Sequence, residues 1–205
     1  MRPIPVSLAV EDDLSDGVLR RVLSHVDRTY AVGTTYGKNG FGYLKSTVHG
    51  WNRAAVGKPF VLLTDLDSYA CPTALIHDWL RDPLNPNLIF RVAVREVEAW
   101  LLADRENFSR FLRVRESAMP NDVETLVDPK ATLVSLANRS PVREIRERIA
   151  PRRGSTAKQG PDYNGCLLGF VDKTWSISAA SVQCRSLART VEKLSKFQPV
   201  WPSLV

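Results

Sequence analysis

The chain has 205 residues, 44% hydrophobic and 24% charged, with 28 Lys+Arg against 22 Asp+Glu, a net charge of +6 and a pI near 9.4. That apolar share fills a core and excludes a disordered chain, and the length suits one domain with an appendage. No apolar run nears the ~18 residues of a membrane span, MRPIPVSLAVEDD lacks the form of a signal peptide, and Cys71, Cys166 and Cys184 are scattered without a CxxC, so the expectation is a cytoplasmic protein with no membrane partner, disulfide framework or zinc knuckle.

The first half alternates between apolar runs and helical periodicity. Pro5 to Val10 reads as a buried strand ending in Glu11-Asp12-Asp13. Leu14 to Val26 repeats apolar residues at helical spacing, with Asp13 or Ser15 as cap and Asp16 in the first turn. Arg28 to Val32 is a short strand, Gly33 to Gly42 a glycine-rich loop, and Tyr43 to Ala55 a helix. The loop lacks the GK[ST] of a Walker A motif, which leaves it as a surface loop or a backbone approach to phosphate helped by Lys38.

Pro59 to Thr64 is the strongest strand, a continuous apolar run that stops at Asp65-Leu66-Asp67. Such runs belong to strands buried on both faces of a parallel sheet. Pro72 to Leu80 is a helix with proline in its first turn, and Asn87 to Val94 a strand leading into Arg95-Glu96-Val97-Glu98 and a helix from Ala99. The order βαβαβαβ predicts an open parallel α/β sheet flanked by helices. After Arg115 the alternation fades. Met119 to Asp122 is a turn, Asp128 to Leu136 and Ser140 to Ile149 are helices, Pro151 to Gly165 is a loop, and Trp175 to Leu194 is helical in part. Residues 1–138 then form the α/β domain, and 139–205 a basic, mainly helical appendage.

The charge has an address. Arg139 to Lys158 holds seven basic and two acidic residues, whereas Met1 to Asn138 holds 16 basic and 17 acidic. A local basic patch suits a polyanion, or forms an ordinary solvated helix face. Arg143, Arg146, Arg152, Arg153 and Lys158 are the candidates to grip a nucleic-acid backbone, since Arg forks and loop amides match phosphate oxygens. Glu144 and Glu147 compete for some of them as helix ion pairs. Tyr163 stacks on a base or is buried.

Three strands end in acids: Glu11, Asp12 and Asp13, then Asp65 and Asp67, then Glu96 and Glu98. A parallel sheet brings these ends to one edge, where such folds bind ligands. Clustered carboxylates repel, and a hard divalent cation with oxygen ligands removes that cost. In an extended segment the i and i+2 carboxylates of Asp-x-Asp share a face. Helix capping accounts for Asp13, and for Asp12 if it is the cap. It does not account for Asp65 and Asp67. Glu96 and Glu98 are ligands or first-turn acids.

This pattern resembles the Toprim domain of topoisomerases, DnaG-type primases and OLD-family nucleases, and most of all the small OLD-like Toprim proteins of bacterial defence loci. The matching segments are Val10-Glu11 to Asp16, Asp65-Leu-Asp67, Glu96-Val-Glu98-Ala-Trp-Leu-Leu-Ala-Asp104 and Asp128-Pro-Lys130, within Pro5 to Leu136. Two positions depart: Asp12 replaces the glycine usual after the first Glu, and Glu11 to Asp16 is one residue longer than usual. Glu11 and Asp12 therefore both stand as first-motif ligand. The resemblance implies a Mg²⁺- or Mn²⁺-dependent nuclease on DNA or RNA, with an ABC- or AAA-type ATPase partner in antiviral defence. It implies Glu11, Asp65, Asp67 and Lys130 as catalytic residues, and Glu11, Asp16, Asp65, Asp67, Glu96 and Glu98 around metal. Lys130 is equally read as a plain helix residue. The competing classes are a receiver-like phospho-acceptor and a non-catalytic subunit that binds nucleic acid or an ATPase.

Overall fold

A computed structural model describes residues 2–201. Four strands, β1 (Ile4–Val10), β2 (Tyr30–Gly37), β3 (Phe60–Asp65) and β4 (Leu88–Ala93), form one all-parallel sheet in the order β2-β1-β3-β4. The connecting helices are α1 (Asp13–His25), α2 (Gly40–Ala54) and α3 (Pro72–Trp79). The chain steps from β1 to β2 in one direction, then across to β3 and β4 in the other. Right-handed crossovers therefore put α2 and α3 on one face and α1 on the opposite one. The packing agrees: Ala9, Leu62, Phe90 and Val92 of the sheet share a buried cluster with Leu44 and Val48 of α2 and Leu75 of α3. β1 and β3 lie in the middle of the sheet and are almost wholly buried, as their unbroken apolar runs require.

β2 is longer than its sequence suggests. The segment read as a loop from Gly33 instead continues the ladder, with Thr35, Tyr36 and Gly37 opposite Leu8, Ala9 and Val10. Between Val6 and Leu8 the register shifts, and β2 fits Gly33 and Thr34 opposite Ser7 as a bulge. An edge strand that is largely exposed carries no apolar alternation, so the pattern was invisible. Gly37 ends the strand at φ +104°, and a Cβ there would lie 2.0 Å from the Val10 carbonyl oxygen. Gly37→Ala is therefore expected to destabilise the fold by about 2 kcal/mol or more. A denaturant midpoint equal to that of the wild type would refute this.

The chain divides into two compact units, Met1–Val94 with Arg189–Val205, and Arg95–Ala188. The division differs from the boundary expected at Asn138. Residues 95–138 group with the helices that follow them, and the later part of the helix α10 (Arg185–Lys196) groups with the sheet. Arg91 on β4 donates to Thr190 Oγ1 (3.2 Å), Tyr30 Oη donates to the Leu194 carbonyl (2.6 Å), and Arg28 donates to the Phe197 carbonyl (3.0 Å). Residues 189–197 thus tie one edge of the sheet to the other.

The second unit is helical: α4 (Val97–Leu102), α5 (Arg105–Leu112), a 3-10 turn (Glu116–Ala118), α6 (Pro129–Asn138), α7 (Arg143–Ile149), α8 (Tyr163–Lys173) and α9 (Ile177–Gln183). α8 begins inside the segment expected to be a loop up to Gly165. Two glycines, Gly165 and Gly169, blur its helical pattern. Its core holds Trp100, Phe108, Tyr163, Phe170 and Trp175, each at most 1% exposed, with Phe108 and Phe170 edge to face at 4.9 Å. Trp100 Nε1 donates to Ser186 Oγ (2.8 Å), and the buried Asp104 accepts from the Ser176 N–H (2.6 Å). Among the described residues, no helix is long and apolar enough to cross a membrane.

Candidate functional site

The strand order reverses direction between β1 and β3, which makes their carboxyl ends the topological switch point of the sheet. Glu11 lies there. One oxygen, Oε1, accepts from the Asp65 backbone N–H (2.9 Å) and from the Thr64 hydroxyl. These bonds fasten the residue after β1 to the end of β3. Burial pushes the Glu11 pKa up; the bonds from Thr64 and Asp65 pull it back, and the carboxylates of Asp67 and Asp12 push it up further.

Asp65 is the last residue of β3. Leu66 is buried and donates its N–H to the Ala93 carbonyl (2.9 Å), after which Asp67 turns at φ +48°. The left-handed turn means that simple strand alternation does not describe Asp65 and Asp67. An aspartate tolerates this conformation better than most side chains.

The acids after Glu11 have local partners. Asp12 is the N-cap of α1 and accepts from the Ser15 N–H (2.8 Å). Asp13 pairs with Lys38 at 2.7 Å. Asp16, expected as a metal ligand, is held by Arg20 at 2.8 Å and Lys38 at 3.2 Å. Lys38 reaches them because β2 continues to Gly37 and the chain turns there, with Lys38 itself at φ +63°. The geometry gives Asp12 the capping role and puts Glu11 beside Asp65.

The second unit gathers Glu96, Glu98 and Lys130. Glu96 sits at the N-cap position of α4 and accepts from the Lys130 backbone N–H (2.9 Å). Glu98 is 2% exposed, accepts from Tyr163 Oη (2.9 Å) and lies 3.4 Å from Lys130 Nζ. Lys130 Nζ also stands 5.8 Å above the Tyr163 ring, a cation–π distance. Tyr163 is therefore a buried participant in this cluster, not an exposed base-stacking platform. Its partner is 65 residues away in sequence, and no local signal marks the pair.

Burial, and then the charge of Glu98, push Glu96 up to about 7 from an ordinary 4.5. The folded protein keeps a proton that the unfolded chain releases, so this stabilisation is complete below pH 4.5 and is lost as pH rises through 7. Glu96 is partly exposed, and solvent screening reduces the effect to roughly 1 kcal/mol. Urea unfolding in chelator at pH 5 and pH 8 should show this loss in the wild type and less of it in Glu96→Gln. Equal pH dependence in both proteins would sink the assignment.

The basic candidates separate into two groups. On α7, Arg143 pairs with Glu147 (2.7 Å) and Arg146 donates to the Ser140 carbonyl. Arg152, Arg153 and Lys158 are exposed on the loop that follows. That loop is pinned at its base by Gly160 N–H to the Ile149 carbonyl (2.8 Å) and Asp162 N–H to the Arg148 carbonyl (3.1 Å). Arg148 closes the same base through Asp162 (2.8 Å) and Glu144 (3.0 Å).

The donor set at the switch point is all carboxylate oxygen, and its crowding favours a hard cation. Hard cations such as Mg²⁺ take oxygen ligands and retain several waters, and oxygen is the donor type that Glu11, Asp65 and Asp67 offer. They do not form a closed cage: among the described residues no group of three or more His, Cys, Asp or Glu is arranged to hold a metal.

Comparison with family models, curated proteins and solved structures gave no match.

Proposed function

We propose that the chain is a Toprim-type nuclease that hydrolyses phosphodiester bonds of DNA or RNA with Mg²⁺ or Mn²⁺. The observation that carries this reading is the fastening of Glu11 to the end of β3 beside Asp65, at the switch point of an all-parallel sheet. Glu11 and Asp65 would hold a hydrated cation, to which the resemblance adds Asp67. Such a cation supplies a more acidic bound water and stabilises charge on the leaving oxygen. Glu11 is oriented by Thr64 and Asp65. In the second unit, Glu98 and Tyr163 orient Lys130, to which the resemblance gives charge neutralisation. Arg152, Arg153 and Lys158 are suited to polymer phosphates by exposure and charge. The resemblance extends this reading to an ABC- or AAA-type ATPase partner in antiviral defence.

The test is cleavage of plasmid DNA, single-stranded DNA and tRNA by the purified chain, with Mg²⁺ or Mn²⁺ and with chelator. Cleavage that needs the cation supports the reading. No cleavage of any substrate, or cleavage that survives chelation, overturns it.

A second reading is favoured by the strand order. β2-β1-β3-β4 is the start of the flavodoxin-like order shared by receiver domains, in which the aspartate at the end of β3 accepts phosphate. Incorporation of phosphate from acetyl phosphate, lost in Asp65→Asn, would replace the nuclease reading with this one.

A further inference from the structure

Gly165 and Gly169 lie one helical turn apart on α8 and share a face. Gly165 is explained by its neighbours, since a Cβ there would fall 2.1 Å from Oδ1 of Asp162. Gly169 is not: a Cβ there would meet nothing within 4 Å. Glycine weakens a helix relative to alanine, so this position gives up helix stability without a packing need. Gly169 lines a groove of about 560 Å³, formed by α7, α8 and the end of α5 wholly within the second unit.

The floor of the groove is apolar. Phe111, Val142, Ile145 and Phe170 line it, with the rings of Phe111 and Phe170 centred 5.2 Å apart. Phe111 and Ile145 are half-buried and Val142 is exposed, so water reaches this surface. The charges around it are unequal. Arg113, Arg148 and Lys173 stand in the lining against Glu144. Arg148 is engaged by Glu144 (3.0 Å) and Asp162 (2.8 Å). Arg113 and Lys173 are exposed and, among the described residues, make no ion pair within 4.0 Å.

Volume and charge together select the occupant. The groove falls within the roughly 300–1,000 Å³ of small-molecule sites. A docked peptide helix would need a longer trough, with anchors spread over two or more turns. An apolar floor rimmed by unpaired cations complements a molecule with an apolar body and an anionic end. We propose that this groove binds a small amphiphilic organic anion, of the class of a medium-chain carboxylate. The chain lies over Phe111, Ile145 and Gly169, and the carboxylate sits at the rim that carries Arg113 and Lys173. The site stands apart from the nuclease reading, because it uses none of the residues given a role there.

The experiment is a calorimetric titration of the full chain, in chelator, with decanoate below its micelle concentration. Decyltrimethylammonium, with the same chain and the opposite charge, is the control. Decanoate should bind about tenfold more tightly or better, since exposed cations attract one head group and repel the other. Gly169→Leu fills the groove with a good helix former and should weaken decanoate at least about tenfold without lowering the unfolding midpoint. The double variant Arg113→Gln, Lys173→Gln should weaken it about threefold or more. A second readout places the ligand. Cys166 lines the groove and Cys71 is exposed outside this unit, so decanoate should slow iodoacetamide alkylation of Cys166 and leave that of Cys71 unchanged. If Gly169→Leu fails to fold, the double variant and the protection of Cys166 carry the test. No decanoate binding, equal binding of the two amphiphiles, binding that survives in folded Gly169→Leu, or an unprotected Cys166 would each overturn the proposal.

Discussion

Asp65→Asn is expected to lower divalent-cation-dependent cleavage by more than about a hundredfold, since even residues that only support a metal ligand contribute about 10–100-fold. The substitution isolates the side-chain charge. The Asp65 backbone N–H that holds Glu11 remains, so the loop after β1 keeps its position. Removing one carboxylate from a crowded set should leave the fold as stable as before or slightly more so. Glu11→Gln is a different probe. Glutamine keeps an acceptor for Thr64 and Asp65 but loses the charge, and it should show a comparable loss. Rates measured across a Mg²⁺ titration decide the matter. Asp65→Asn activity within tenfold of the wild type at saturating Mg²⁺ would remove Asp65 from the reaction.

Lys130→Met is expected to destabilise the second unit by about 2–3 kcal/mol, less than the about 3–5 kcal/mol for one partner of a fully buried pair. The reason is Glu98. It is nearly inaccessible to water, and Lys130 is the cation 3.4 Å from it. Without that cation the carboxylate keeps the Tyr163 hydroxyl but loses the positive charge 3.4 Å from it. The methionine preserves much of the packing of the lysine stem, so the loss reports mainly charge. Adding Glu98→Gln should recover part of it, and the recovery is the coupling within the pair. Denaturant unfolding of the four proteins gives the cycle. Additive effects would mean that Lys130 and Glu98 do not support each other. Any activity lost in Lys130→Met must be compared with the double variant before Lys130 is given a chemical role.

Elements whose burial is uniform were legible in the sequence. Phe60 to Asp65 and Leu88 to Ala93 are largely apolar, broken only by Thr64, Asp65 and Arg91, because β3 lies inside the sheet and β4 is buried along most of its length. The start of α6 was legible from Asp128-Pro129, an N-cap followed by a proline at the first helical position. What escaped depended on distant residues. The capture of Asp16 by Lys38 needs β2 to run on to Gly37, and an exposed edge strand leaves no hydrophobic trace. Tyr163 finds Glu98 across 65 residues. The division into units escaped because residues 95–138 group with later helices and residues 189–205 with the sheet, groupings that only distant packing decides. At the candidate site, the end of β3 was visible as an abrupt stop at Asp65. The hydrogen bond that makes Glu11, rather than Asp12, its neighbour was not.

The return of residues 189–197 to the sheet sets an order on folding during synthesis. Strand pairing among β1 to β4 uses only the first 93 residues, yet Arg28, Tyr30 and Arg91 find their partners only after the whole helical unit has been made. At ordinary translation rates that interval is roughly 5–20 s. Throughout it, Arg28, Tyr30 and Arg91 lack the partners that residues 190–197 supply. The second unit, contiguous in sequence, can complete its own packing first and leave the earlier-born one waiting. A ribosome stalled after Ala188 should therefore display an unclosed sheet, prone to protease or chaperone capture, that a few further residues would seal.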